Sequence, residues 1–67
     1  MATSTWTVTG MTCGHCVKAV TEEVSAIEGV QGVEVDLETG LVTVTAEPPP
    51  TREQVAAAVD EAGYALA

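Results

Sequence analysis

A chain of 67 residues hides only about 60% of its unfolded surface, enough for one core and not two, so residues 1–67 are expected to form a single domain without a deep substrate cavity. With 46% hydrophobic residues but only Trp6 and Tyr64 as aromatics, that core has to be made of Val, Ala, Leu and Ile, which suits thin layers of helix on sheet. Ten acidic side chains against Lys18 and Arg52 give a net charge of -8, the wrong sign for a chain that neutralises nucleic-acid phosphates or anionic lipid.

The distribution of charge is uneven. Every acidic side chain lies between Glu22 and Glu61, so the segment holding both cysteines has none and carries Lys18. Met1 to Thr5 has neither a basic n-region nor an apolar h-region, and no stretch approaches the roughly 20 apolar residues of a membrane span. A cytoplasmic chain with no direct membrane insertion is expected. In such a reducing compartment two cysteines serve as metal ligands or redox partners rather than as a structural staple.

Taken in chain order, Thr5 to Thr9 alternates polar and apolar, with Trp6 and Val8 on one face of a half-buried strand and Trp6 assigned to the core. Gly10 punctuates it. From Cys16 the period changes, and Val17, Val20, Val24 and Ile27 form one stripe of an amphipathic helix predicted to run to a cap at Gly29. Val33, Val35 and Leu37 then alternate with Glu34 and Asp36. After a turn at Glu38, Thr39 and Gly40 the pattern resumes with Val42 and Val44, as a hairpin would.

Pro48, Pro49 and Pro50 lack the N–H donor that a strand ladder needs, so the sheet stops before them. Thr51 is a natural N-cap and Gln54 completes a capping box. Val55, Val59 and Ala62 supply the buried face of a second helix that ends at Gly63. Tyr64 to Ala67 remains as a short closing strand. The order βαββαβ predicts an α+β fold of the ferredoxin-like kind, with a four-stranded antiparallel sheet covered on one face by two helices.

Cys13, Gly14, His15 and Cys16 form the one cluster with evident chemical potential, where the first strand hands over to the first helix. A helix N-terminus offers unpaired N–H groups and partial positive charge. Both favour thiolate, the form that binds metal or attacks disulfides. Cysteines three apart at a helix start face the same side, with Cβ atoms about 5–6 Å apart, so both sulfurs can reach one ion. A structural zinc site wants four ligands, and beyond these two cysteines the chain has one histidine and no further cysteine. Soft thiolates select Cu(I), which accepts two sulfurs and leaves the site open to an incoming thiol.

The same tetrapeptide, Cys-Gly-His-Cys, is also the active-site sequence of protein disulfide isomerases, so a small thiol-disulfide oxidoreductase is the rival from a different class. Two features count against it. Thr12 stands where those enzymes carry tryptophan, and the chain is too short for a complete thioredoxin-type domain.

The run Gly10-Met11-Thr12-Cys13-Gly14-His15-Cys16 resembles the GMTCxxC signature of the heavy-metal-associated (HMA) domain family. The resemblance extends through Gly29 and Val30, the strand from Val33 to Leu37, and the closing Ala62, Gly63 and Tyr64. It therefore covers nearly the whole chain. Within the family the chain resembles the CopZ-type bacterial copper chaperones and the N-terminal domains of copper-transporting P-type ATPases, from which an excised domain would look the same.

What the resemblance implies is a non-enzymatic copper chaperone of copper homeostasis. It would bind Cu(I) on Cys13, the exposed ligand of the loop, and Cys16, on the first turn of the helix. Metal transport would then proceed by ligand exchange to the metal-binding domain of an ATPase. Met11 would plug the core beneath the loop, and Tyr64 would sit close to the metal or cap the edge of the core. His15 would face solvent between the ligands, as a bystander or as an influence on the thiolates. Lys18 would offset the charge of the complex or stand as an ordinary exposed residue. A copper-bridged homodimer is expected at higher loading, because a two-coordinate ion on an exposed loop can share thiolates with a second copy.

Overall fold

The computed structural model describes residues 2–12 and 14–67. Its elements are β1 (Ala2–Thr9), α1 (Gly14–Ser25), β2 (Val30–Asp36), β3 (Leu41–Ala46), α2 (Arg52–Glu61) and β4 (Ala65–Leu66). The four strands form one antiparallel sheet in the order β2-β3-β1-β4. This is the expected ferredoxin-like arrangement. None of the helices among the described residues is long and apolar enough to cross a membrane.

Alternation decides which side of the sheet is covered. In β3, Val42, Val44 and Ala46 are buried, while Leu41, Thr43 and Thr45 face away. Register carries this division across the sheet, since Val42 pairs with Trp6 on one side and Val35 on the other. Onto that face α1 sets Cys16, Val20 and Val24, and α2 sets Val55, Ala58 and Val59. Both sets follow the three-and-four spacing of a helix stripe. The largest fully buried side chains are all valines: Val20, Val24, Val42, Val44, Val55 and Val59. Each is worth about 1.5–3 kcal/mol of burial, and their β-branched stiffness suits a thin two-layer core.

Several boundaries differ from those the pattern predicts. β1 begins at Ala2 rather than Thr5, because Ala2 and Ser4 pair with Ala46 and Val44 although neither is a strong apolar marker. Trp6 is half-buried against the core, and its Nε1 donates to Ser4 Oγ at 3.2 Å. Helix α1 stops at Ser25, short of Gly29. Ala26 N and Ile27 N then bond back to Glu23 O and Val24 O, so the chain leaves the helix through tightened turns. The buried stripe is headed by Cys16, whereas Val17 is only partly covered.

Leu37 is not in a strand. Asp36 Oδ1 accepts from Glu38 N at 3.0 Å and Asp36 O accepts from Gly40 N at 2.8 Å, which curls the chain over residues 37–40 and leaves Leu37 39% exposed. The capping box of α2 is formed as expected. Thr51 Oγ1 accepts from Gln54 N at 3.1 Å, and Gln54 Oε1 accepts from Thr51 N at 2.8 Å. At the other end of α2, Gly63 N bonds Asp60 O and Tyr64 N bonds Val59 O, the paired bonds of a Schellman ending.

Candidate metal site

The antiparallel order brings three connections to one end of the molecule: the segment from β1 into α1, the turn from β2 into β3, and the exit of α2 into β4. Val8 N donates to Gly40 O at 2.8 Å, which presses the hairpin turn against the end of β1. On the other flank Val8 and Thr9 pair with Leu66 and Ala65, and Tyr64 closes over Gly10. A Cβ added at Gly10, whose φ is +92°, would lie 3.3 Å from Tyr64 Cδ1. Glycine thus lets the backbone turn out of β1 directly beneath the tyrosine ring.

Cys13 lies outside the described residues. Cys16 stands in the first turn of α1 and is 7% exposed. Its Sγ lies 4.0 Å from Thr12 Oγ1, a hydroxyl reaching over from the segment before the helix. The first N–H groups of α1 have no partner within the helix, so the sulfur sits where donors and partial positive charge converge. Thr12, Gly14, His15 and Lys18 are exposed, and Met11 is partly buried against the core. The structure therefore gathers Gly10, Met11, Thr12, Cys16 and Tyr64 at one end and leaves His15 and Lys18 on the helix surface. The contact between Thr12 and Cys16 was not anticipated. Its one sequence signal is a hydroxyl four residues before a thiol at a helix start.

Among the described residues, His, Cys, Asp and Glu nowhere form a group of three or more that could hold a metal ion. A depression of about 420 Å³ lies on the open sheet face, lined by Glu34, Val35, Asp36, Leu41 and Thr43, and one of about 430 Å³ beside α2 and β4. Both are open surface clefts, and neither is lined by Cys16.

A ferredoxin-like sandwich with a thiol at the head of its first helix defines a small α+β class. Residues 5–65 match the heavy-metal-associated domain, and the chain belongs to that family. It is 40% identical over 68 residues to the copper chaperone CopZ of Bacillus subtilis, spanning 100% of this chain and 99% of that protein. It is also 38% identical over 58 residues to copper-transporting ATPase 2 of Rhizobium meliloti, covering 87% of this chain but 7% of the ATPase. Among solved structures, a CopZ metallochaperone superposes with a TM-score of 0.90 at 33% identity, covering 98% of this chain and 100% of that one.

Proposed function

We propose that this chain is a cytoplasmic, non-enzymatic copper carrier, with residues 1–67 acting as a single domain. It takes up one Cu(I) between Cys13 and Cys16 and passes it to the metal-binding domain of a copper-transporting P-type ATPase. The observation that carries this reading is the full-length similarity to a copper chaperone, joined to a donor set that contains two thiols and no third soft ligand nearby in sequence except Met11. Two thiolates leave zinc incomplete yet suffice for a monovalent soft ion. Met11 faces the core, which suits a packing role.

Handover follows from low coordination. An incoming thiolate from the partner domain adds to the two-coordinate ion and one of the original sulfurs leaves; a second partner thiolate then displaces the other, and the ion crosses with no change in oxidation state. The similarity to part of an ATPase keeps a second reading in view, in which the same chemistry belongs to a domain of a larger transporter.

Anaerobic titration of the reduced protein with Cu(I) against a competing chelator tests the proposal. One tight equivalent is expected, lost in Cys13→Ser and in Cys16→Ser. Weak binding accompanied by robust reduction of insulin disulfides would instead select the oxidoreductase.

A further inference from the structure

We propose that the seam between the end of α1 and α2 is a docking groove for a basic amphipathic helix of a partner protein, separate from the thiol end. A cleft of about 330 Å³ follows this seam, floored by Ala26, Ile27, Ala57 and Ala58. Ala26 and Ala57 are exposed and Ile27 is half-buried, so apolar surface is left in contact with water there. Glu28 and Gln54 also line a second cleft of about 260 Å³ that continues to Pro48 and Pro49. The groove thus extends from the helices onto the rigid connector that precedes α2. Glu23, the first residue of α1 to line it, lies about two turns beyond Cys16, which leaves the thiol end open while the groove is filled.

The walls select the occupant. Glu23, Glu28 and Glu61 line the main cleft, and neither Lys18 nor Arg52, the only basic side chains of the sequence, lines either part. Carboxylates over an apolar floor repel nucleic acid, anionic lipid and a second copy of a chain whose net charge is -8, and they attract a segment rich in Lys or Arg. The form of that segment follows from backbone hydrogen bonding. Helices present no open edge of N–H and C=O groups, so an extended peptide finds no ladder to join, whereas a helix brings its own bonds already made. Alanine at three of the four floor positions lets a third helix approach closely and lay down its apolar stripe.

The probe is an acetylated, amidated peptide of Leu and Lys, about four helical turns long, whose leucines recur at the helix period. It is titrated into the reduced, metal-free full chain, isotope-labelled and followed by amide chemical shifts. Shift changes are expected at Ala26, Ile27, Ala57 and Ala58 and not on the open sheet face. A peptide of the same composition with Leu and Lys alternating should bind several-fold more weakly. Ala57→Gln keeps helix propensity at an exposed site but narrows the groove, and should weaken binding several-fold. Glu28→Gln with Glu61→Gln should weaken it about fivefold, while Glu34→Gln with Glu38→Gln, which removes the same charge elsewhere, should leave affinity within about twofold. Equal weakening by the two charge pairs, equal binding of the alternating peptide, or shifts spread over the open sheet face would reduce the site to general attraction between a cation and an acidic chain and overturn the proposal. It is also overturned if spermidine produces the same shifts at comparable concentration, which assigns the groove to a free polycation, or if concentrating the protein alone does so, which assigns it to a second copy. No metal enters the test, so failure of the copper-carrier reading would leave its result standing.

Discussion

Gly40 is a single residue on which the geometry of the thiol end depends. Its φ is +75°, and a Cβ there would meet Val8 O at 2.6 Å. Its own carbonyl accepts from Val8 N, so the hairpin turn and the end of β1 are locked together two residues before Gly10. Alanine at this position must hold a backbone conformation costing about 1–3 kcal/mol, and it must also push main chain away from main chain. Gly40→Ala is therefore expected to lose about 2–3 kcal/mol in urea unfolding. Gly14 gives the contrast, since it is helical and a Cβ there meets nothing within 4 Å. Gly14→Ala should gain up to about 1 kcal/mol. Equal losses at the two positions would show that glycine is needed in this fold for some reason other than the turn.

Among the elements, α2 is the one whose limits are set most locally. Thr51 and Gln54 satisfy one another's backbone donors at its start, and the Gly63 and Tyr64 bonds close its end. Its end matters to the site, because Tyr64 leaves the helix directly over Gly10. Thr51→Ala removes one cap acceptor and is expected to cost about 1 kcal/mol, lowering the melting temperature by about 4–8 °C. Thermal unfolding followed by circular dichroism checks it, and an unchanged midpoint would mean that packing of Val55 and Val59 alone fixes this helix. These capping signals were legible in the sequence because they depend on residues three apart. The end of α1 was not, for a related reason: Ile27 continues the apolar spacing and packs on the core, yet the chain has already left the helix. Periodicity reports burial, and burial continues through a turn. Leu37 misleads in the opposite way, keeping strand alternation after Asp36 has drawn the backbone into a turn. The cysteines could be picked out by their spacing, whereas the approach of Tyr64 to Gly10 and of Thr12 to Cys16 required the folded arrangement.

For the whole molecule, the governing quantity is a net charge of -8 whose carboxylate side chains all lie beyond the first 21 residues. Two copies meeting through their thiol ends would bring together the segments that hold Lys18 and also the hairpin turns with Asp36 and Glu38 that share that end, while the acidic remainder of each repels the other. At an ionic strength of 0.01 M charges interact over about 30 Å, and at 1 M over about 3 Å. The long axis of this molecule is 29 Å, so dilute buffer lets nearly the whole of each charge distribution oppose pairing. Salt should remove that opposition without touching thiolate bridges at the contact. Under the copper-carrier reading, sedimentation is accordingly expected to find monomers at one equivalent of Cu(I). Excess Cu(I) should produce dimers whose fraction rises with added sodium perchlorate and vanishes in Cys16→Ser. Perchlorate is preferred to chloride because it does not compete for the soft ion. Monomers at every loading and every salt concentration would rule out the bridged dimer, and dimers that weaken with salt would place attraction between opposite charges, rather than shared sulfur, at the contact.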